Sequence, residues 1–344
     1  MSDRVIATWL FSESENDHGH YPQVGGNSSS QEFLDVYRRC LCVFFYFARM
    51  ANPDAKLFLF LNKPLEKTTP IASKLIEITS MCEVEIIVMG YSHEPPSSFQ
   101  KAWRNQFYVL DILGYLSSKL SENHFLVVLD SDVIWNGFEA ANRFWNDLAK
   151  FGILGYDLGL KPDEMQNGLN ETDMKEIASR FGAQGERLTY FGGEFIALSG
   201  KYLPRVFNEA KKIFVELMRI HNSDRSFCFE EAHVLSIAYG TLNLSPASGD
   251  RIIKRVWTQP LKYKNRRKED LNLALLHIPA EKKYGFRRFF NKYLSGDLPS
   301  GKLAPDLMQT QLRHFFGIPR NTATKWFLDV VYALFWKVRR KLNL

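Results

Sequence analysis

Short apolar runs alternate with longer segments of helical period along the first 135 residues of the chain. Each short run is apolar at nearly every position, as in a buried strand, and each longer segment repeats apolar residues every three or four positions, as in a helix. The predicted strands are residues 4–11, 55–62, 84–90 and 124–129, and the predicted helices are residues 30–51, 70–81 and 97–120. This alternation predicts βαβ units and an α/β fold with a mainly parallel sheet.

The second half of the chain continues with more widely spaced elements. Two further apolar runs, 151–157 and 189–200, flank a polar segment, 160–188, for which we expect a loop with a short helix. Helical stretches follow at 200–220 and 229–239. The sequence contains no internal repeat, which argues against a solenoid or a propeller.

Two carboxylates interrupt the run "HFLVVLDSDVIW" at residues 124–135. Burying an isolated ionised carboxylate in apolar surroundings is so costly that Asp130 and Asp132 need a cation, an ion pair or solvent. They end a predicted strand, which is where open α/β sheets bind ligands. Two such carboxylates suit a hard cation such as Mg²⁺ or Mn²⁺ and leave room for substrate phosphates. Alternatively, they cap the strand or the helix predicted at 137–151.

Composition and charge narrow the class of protein. The chain has 344 residues, 45% of them apolar, which suffices for one large α/β domain or two smaller ones. Its net charge of +6 favours an anionic partner such as phosphate, nucleic acid or acidic lipid. We expect no nucleic-acid binding, because the aromatic residues lie mainly in apolar runs and form no evident stacking platform.

The amino terminus and the cysteines indicate the compartment. "MSDRVIATWLFSESEN" lacks the basic region, apolar core and cleavage site of a signal peptide, so we expect a cytoplasmic protein. The four cysteines form no pair of CxxC motifs, and we expect them to be reduced core residues. They are Cys40, Cys42, Cys82 and Cys228.

The order of four motifs resembles the GT-A-type nucleotide-sugar glycosyltransferases. An apolar strand runs into "LDSD", "YFGGEFIAL" follows about sixty residues later, and then come "FEEAHVL" and "LALLHIPAEKKYGF". The likeness covers roughly residues 4–290. It implies a GT-A-like, Rossmann-type mixed sheet flanked by helices, and a metal-dependent transfer of sugar from a nucleoside diphosphate sugar, with a UDP-sugar favoured, to a glycan or lipid-linked acceptor.

The resemblance also assigns residues to roles. Asp130, Asp132 and His277 would hold Mn²⁺ or Mg²⁺. The remaining candidates divide into a donor-binding set and a set of candidate bases. The donor set is Thr8, Trp9, Lys101, Arg104, Asp130, Ser131, Gly192 and Gly193, and the candidate bases are Glu230, Glu231 and Glu194. Both inverting and retaining transfer stay open.

Each of these motifs has a structural alternative. Gly192 and Gly193 suit a β-bulge as well as a closely approaching ligand. Glu230 and Glu231 would also stabilise the first turn of a helix through its dipole. His277 would also serve as a hydrogen-bonded core histidine.

The resemblance implies a division of the chain. Residues 1–290 would form the catalytic domain, with a nucleotide-binding half at 1–135 and a sugar and acceptor half at 136–290. Residues 291–344 would form a helical extension. A nucleotidyltransferase is the enzymatic alternative, although no Lys or Arg lies between Arg4 and Arg38 to form a basic loop after the first strand. A non-catalytic, membrane-associated nucleotide-binding scaffold is the other.

The last 24 residues, 321–344, predict an amphipathic helix with a basic end. Its apolar stretch is too short to span a bilayer and contains Asp329, so contact with a membrane would be interfacial. The alternatives are packing on the protein's own core or on a second subunit. We expect peripheral attachment to the inner face of the membrane, which suits an enzyme that elaborates a lipid-linked glycan in polysaccharide or glycoconjugate biosynthesis.

Overall fold

A computed structural model gives the fold of the chain. It describes residues 3–14, 19, 21, 23–99, 104–183, 188–259, 263–296 and 310–341, the last seven by their backbone. The expected architecture is confirmed, since a mixed sheet lies between two layers of helices.

The strands are β1 (Arg4–Leu10), β2 (Lys56–Leu61), β3 (Val84–Val88), β4 (Phe125–Leu129), β5 (Val133–Trp135), β6 (Ile153–Asp157), β7 (Phe191–Ser199), β8 (Ala247–Ser248), β9 (Ile253–Arg255) and β10 (Leu275–His277). Seven of them form the main sheet, in the order β3-β2-β1-β4-β7-β6-β8. The first four strands in this order pair in parallel, whereas β7 runs antiparallel to both β4 and β6. The βαβ prediction for the first half is therefore confirmed.

The helices are α1 (Gln31–Ala51), α2 (Pro70–Met81), α3 (Tyr108–Lys119), α4 (Phe138–Phe151), α5 (Glu171–Arg180), α6 (Leu203–Ser223), α7 (Glu231–Thr241), α8 (Gly285–Phe289) and α9 (Ala323–Lys341). Helices α1 to α8 pack into two apolar cores, one on each face of the main sheet. One core contains side chains of α1, α2, α4 and α8, and the other contains side chains of α3, α5, α6 and α7. Side-chain caps begin α1 and α2, with Ser30 accepting from the Phe33 amide and Thr69 from the Ala72 amide.

A second sheet of three strands brings distant segments together, in the order β5-β10-β9. The run that begins at β4 breaks after Leu129, and β5 leaves the main sheet to pair antiparallel with β10. In that register His277 lies opposite Val133 and, on its other side, opposite Arg255. His277 is thereby paired with Val133, the residue that directly follows Asp132.

The structure shortens one predicted helix. α3 begins only at Tyr108, after a 3₁₀ turn at Arg104–Phe107, whereas the apolar spacing predicted a helix from residue 97. Asn105 and Phe107 are buried in that turn. The spacing of their apolar and polar neighbours suits both a helix and a tight turn, so periodicity alone misplaced the start. The cysteines are free, and Cys40, Cys42 and Cys82 are buried as expected.

The carboxyl-terminal helix α9 attaches to the body by charged residues. Lys325 and Asp329 are buried, while Trp326 and Phe327 are 44% and 61% exposed. Lys325 Nζ lies 2.8 Å from Glu281 Oε1, and Arg288 Nη1 lies 2.6 Å from Asp329 Oδ1. Among the helices that the structure describes, none combines the length and the hydrophobicity that crossing a membrane requires.

Candidate active site

A cleft of about 250 Å³ opens at the carboxyl ends of β1 and β4. Segments from both halves of the chain line it, because β7 places the second half directly against β4. Asp130, Ser131 and Asp132 line one side, and Glu230 and Glu231 at the start of α7 line another. The topology therefore brings most of the candidate site residues into a single cavity.

Asp130, Asp132 and His277 converge in this cleft, with one potential ligand atom from each lying within 4.8 Å of the others. His277 Nε2 lies 3.2 Å from Asp132 Oδ2 and 3.8 Å from Asp130 Oδ2. The turn after β4 sets this arrangement, since the Val133 amide donates to the Asp130 carbonyl at 3.1 Å. Among the described residues, no partner forms a well-aligned hydrogen bond with the buried His277 Nε2. Two carboxylates and an imidazole nitrogen suit Mn²⁺ or Mg²⁺.

Burial and charged neighbours shift the pKa values of these side chains in different directions. Burial alone would raise the pKa of Asp132, but the Lys282 ammonium, 2.7 Å away, and His277 hold it well below its usual range. Burial and the charge of Asp132 raise the pKa of Asp130 to about 6. Burial would lower the pKa of His277, but Asp132 and Glu194 outweigh it and raise the value to about 9.

Glu194 is also buried in the cleft, but its oxygens are occupied. Arg255 Nε donates to Glu194 Oε1 and Arg255 Nη2 to Glu194 Oε2, both at 2.7 Å. His277 Nδ1 lies 3.1 Å from Glu194 Oε1. Burial would raise the pKa of Glu194, but the Arg255 guanidinium and His277 hold it well below its usual range. A carboxylate engaged in this way is poorly placed to remove a proton from an acceptor.

Glu230 and Glu231 have a different environment, with neutral donors around them. Tyr190 Oη and Asn167 Nδ2 both donate to Glu230, and the Gln106 side-chain amide faces Glu231 Oε2 at 2.8 Å. Burial raises the pKa of Glu230, although its two donors act in the opposite direction. Burial and the charge of Glu230 raise the pKa of Glu231 well above its usual range. These raised pKa values suit the pair to exchanging a proton.

Gly192 and Gly193 make room for two of the carboxylates in the cleft, Glu194 and Glu231. A Cβ atom on Gly192 would lie 2.4 Å from Glu194 Oε2, and one on Gly193 would lie 2.1 Å from Glu231 Oε1. Both separations are far below van der Waals contact, so a side chain at either position would displace a carboxylate. The close approach of Glu194 and Glu231 therefore explains the two glycines without a β-bulge or a bound ligand.

The predicted donor-binding residues of the first half separate into three cases. Trp9 lines the cleft, whereas Thr8 is fully buried in β1 and is absent from the cleft lining. Arg104 turns away, with Nη2 donating to Glu94 Oε1 at 2.9 Å, while the following Asn105 and Gln106 line the cleft. Lys101 lies outside the described residues.

Several cleft residues were missed by the sequence reasoning. Glu13 lies beside the cleft, where it accepts from the lining residues Asn105 (Nδ2) and Tyr21 (Oη, at 2.8 Å). Lys282 and the partly buried Arg255 supply the positive charge. Lys282 could have been found as the cation five residues after His277, and Arg255 as part of the Lys- and Arg-rich stretch at residues 251–268. For Glu13, the sequence carries no signal that we can identify.

Comparison with known proteins gives a fold-level match. The chain is similar to the crystal structure of the galactosyltransferase LgtC in complex with donor and acceptor sugar analogues, with a TM-score of 0.50 and 14% identity over 90% of this chain and 100% of that one. A structure of an active-site mutant of LgtC matches with a TM-score of 0.46 and 14% identity, over 79% of this chain and 86% of that one. No protein-family model matches the chain, and no curated protein matches its sequence. The resemblance to the GT-A fold is thus confirmed.

Proposed function

We propose that this protein is a metal-dependent glycosyltransferase that moves a sugar from a nucleoside diphosphate sugar to a glycan or lipid-linked acceptor. The observation that carries the proposal is the convergence of Asp130, Asp132 and His277 at the carboxyl end of β4, in a cleft that also contains Glu231. A cation site serves such a transfer in either stereochemistry, and a carboxylate with a raised pKa supplies the base that an inverting transfer needs.

Asp130, Asp132 and His277 would hold Mn²⁺ or Mg²⁺. When bound, the cation would neutralise the charge that develops on the leaving diphosphate. Lys282 provides a fixed positive charge beside the same carboxylates, at 2.7 Å from Asp132 Oδ2. Its ammonium is therefore placed to contact a donor phosphate without leaving the cleft.

The donor nucleotide would lie against the first half of the chain. Trp9, Phe11 and Tyr21 line that side of the cleft, and their rings offer surfaces for a nucleobase. We favour a uridine diphosphate sugar. Residues 1–135 would then serve as the nucleotide-binding half and residues 136–290 as the sugar and acceptor half.

Glu231 is our choice for the residue that accepts the proton of the acceptor hydroxyl. It lies at the first position of α7, and its raised pKa makes it a stronger base than an ordinary glutamate. Glu230 is bound by Tyr190 and Asn167, so we assign it to holding that wall of the cleft in place. Glu194 is left out of this role because Arg255 occupies both of its oxygens.

The test is thermal unfolding of the purified protein with a panel of nucleoside diphosphate sugars, each with Mn²⁺, with Mg²⁺ and with chelator. Selective binding raises apparent stability by mass action. We expect one donor to raise the melting temperature, and chelator to abolish the shift. A nucleotidyltransferase would instead respond to nucleoside triphosphates. A folded protein that responds to no donor would favour the scaffold alternative.

We also propose that α9 binds a membrane surface. Its described apolar side chains lie outward, with Trp326, Phe327, Val331 and Leu334 all at least 44% exposed. Its buried side chains, Lys325 and Asp329, are charged and ion-paired with the body, so the helix is held with its apolar face free. An exposed apolar face next to the basic end of the sequence suits an anionic bilayer. This attachment would place the enzyme on the inner face of the membrane.

Vesicle sedimentation tests this second proposal. We expect the full chain to bind vesicles with 30% anionic lipid, as a test composition, and to lose most of that binding when Phe327 is replaced by Asp. Val215→Asp is the matched control, because Val215 is a similarly exposed apolar residue (60%) on α6. Dimerisation of the wild type that Phe327→Asp disrupts, without any vesicle binding, would instead show that a second copy covers the helix.

A further inference from the structure

We infer that Glu194 and Arg255 position His277 for cation binding, so that the metal site depends on a carboxylate that does not itself bind the metal. This inference rests on the proposed function, because it concerns the same cation site. It assigns to Glu194 a positioning role in place of the base role that its sequence position suggested.

The contacts fix the orientation of the imidazole ring. Glu194 and His277 are 3% and 5% exposed, and Glu194 Oε1 lies 3.1 Å from His277 Nδ1. The other ring nitrogen, Nε2, points toward Asp132 Oδ2 at 3.2 Å. The ring thus spans from one carboxylate to the cation site, with one nitrogen assigned to each.

Hydrogen-bond chemistry then determines which nitrogen can bind a metal. A carboxylate paired with a guanidinium can only accept, so His277 Nδ1 must carry the hydrogen that it donates to Glu194. Nε2 is therefore the nitrogen that can give up its proton and offer a lone pair to a cation. A histidine ligand held through its other ring nitrogen by a carboxylate is a recurrent means of orienting metal ligands.

Arg255 has a separate effect, which is to keep Glu194 out of the coordination sphere. Its two donors occupy both Glu194 oxygens at 2.7 Å, so Glu194 cannot turn toward Asp130 and Asp132 without breaking both bonds. The backbone of Arg255 is itself held, since its amide donates to Tyr156 Oη at 2.9 Å and its carbonyl accepts from Asn265. The pair selects a site of two carboxylates and one histidine over a site of three carboxylates.

Replacement of Glu194 by Gln tests the inference in the full-length protein. The amide retains the size of the side chain but removes the charge that binds Arg255 and His277. We expect Mn²⁺ affinity, measured by the electron paramagnetic resonance signal of free Mn²⁺, to fall about 10- to 100-fold. The nitrogen modulation that a bound histidine imposes on the Mn²⁺ spin-echo signal should weaken at saturating metal. Unchanged affinity and unchanged modulation would overturn the inference.

Glu209→Gln is the matched control. Glu209 is likewise buried (7% exposed) and paired with a cation, Lys212, but it lies on α6 and is absent from the cleft lining. We expect its Mn²⁺ affinity to equal that of the wild type. An equal loss of affinity in this control would attribute the Glu194→Gln effect to general destabilisation and would count against the positioning role.

A measurement on the wild type covers the case in which Glu194→Gln does not fold. We would record ¹⁵N-histidine spectra of the metal-free protein above pH 9, where the ring is neutral because the pKa of His277 is about 9. The His277 signals can be assigned by their absence in His277→Gln. We expect Nδ1 to be protonated and hydrogen-bonded, and an unprotonated Nδ1 would overturn the inference. A wild type that binds no Mn²⁺ would refute the proposed cation site instead, while the spectra would still decide the orientation of the ring.

Discussion

Two walls of one cleft carry buried carboxylates in opposite electrostatic settings. The cation wall consists of Asp130, Asp132, Glu194 and His277 with Lys282 and Arg255, and the acid wall consists of Glu230 and Glu231 with Tyr190, Asn167 and Gln106. On the cation wall, positive partners hold the pKa values of Asp132 and Glu194 well below their usual range. On the acid wall, burial raises the pKa values of both glutamates.

The difference shows how one fold can support two tasks within a single cavity. Carboxylates whose pKa is held low suit a permanent charge such as a bound cation, and carboxylates whose pKa is raised suit proton exchange. The kind of neighbour decides the task, since Asp132, Glu194, Glu230 and Glu231 are all buried. Variants that alter one wall alone should therefore separate cation binding from proton transfer.

The largest effect should come from Asp132→Asn on the cation wall. The change removes a ligand oxygen and leaves the Lys282 ammonium, 2.7 Å from Asp132 Oδ2, without its partner. A cation contributes several kcal/mol to stabilising the transition state, so turnover should fall about 10³-fold or more. Mn²⁺-dependent donor binding, measured by calorimetry, should disappear.

Asp163→Asn is the control for this change, since Asp163 is an exposed aspartate outside the cleft lining. It should leave both turnover and Mn²⁺-dependent binding at wild-type values. Normal Mn²⁺-dependent donor binding by a folded Asp132→Asn protein would refute the cation wall as we describe it.

Glu231→Gln should have the next largest effect, and it should act on the acid wall alone. Loss of a general base lowers turnover about 10²- to 10⁴-fold. Mn²⁺ affinity should change little, because Glu231 forms no hydrogen bond or ion pair with Asp130, Asp132 or His277 among the described residues, and of these three only the charge of Asp130 acts on its pKa. Steady-state kinetics together with a Mn²⁺ titration separates the two effects.

The neighbouring Glu230→Gln change sharpens this test. Tyr190 and Asn167 donate to different oxygens of Glu230, so Gln keeps an acceptor for only one of them. Because Glu230 is not the assigned base, turnover should still fall less than in Glu231→Gln. If Glu230→Gln proves the more damaging of the two, the assignment of the base to Glu231 is incorrect and Glu230 takes that role.

Gly192→Ala and Gly193→Ala should divide the two walls with a single methyl group each. The new Cβ would lie 2.4 Å from Glu194 Oε2 in the first and 2.1 Å from Glu231 Oε1 in the second. We expect Gly192→Ala to weaken Mn²⁺ binding and Gly193→Ala to lower turnover at saturating Mn²⁺. Each should also lower stability by about 1–3 kcal/mol, because overpacking forces side chains to move.

Gly90→Ala is the control for both glycine variants, because a Cβ there would meet nothing within 4 Å. It should leave Mn²⁺ binding and turnover unchanged. If Gly192→Ala and Gly193→Ala instead impaired the same parameter to the same degree, the two walls would not be separable units.

The sequence singled out the carboxylates of both walls but not the side chains that pair with most of them. Asp130 and Asp132 could be recognised because charged residues in an apolar run require an explanation, and the order of the motifs indicated His277. Glu194 was found but interpreted as a base, because the partner that occupies it, Arg255, comes from another strand 61 residues away. Which cation meets which carboxylate is set by the pairing of β9 with β10, which no local pattern specifies.

The strands and helices were likewise predictable only as far as a local sequence pattern specifies them. Strands β1, β2 and β4 were predictable because they are buried on both faces and read as continuous apolar runs. The terminal helix α9 was recognised as amphipathic, but its orientation was not predictable. Its buried face is set by Lys325 and Asp329 pairing with Glu281 and Arg288, which are contacts across the fold.

The smallest effect concerns the two histidines, one on each side of the comparison. His277 faces carboxylates, and its pKa is raised to about 9, whereas burial of His233 in α7 lowers its pKa to about 3. His233 Nδ1 accepts from the Glu230 amide at 3.0 Å, so the neutral ring helps to fix the start of the acid wall. An unfolded histidine has a pKa of about 6.5.

This contrast makes stability depend on pH on the acid wall. Between pH 6.5 and 3 the unfolded chain binds a proton at His233 and the folded protein does not, so the free energy of unfolding should fall as the pH falls. The slope from this one residue is at most about 1.4 kcal/mol per pH unit. Denaturant unfolding at pH 7, 6 and 5 should show a shallower loss in His233→Gln, whose amide oxygen can still accept from Glu230. An equally steep loss in that variant would mean that His233 is protonated in the fold, and the acid wall would then contain a cation after all.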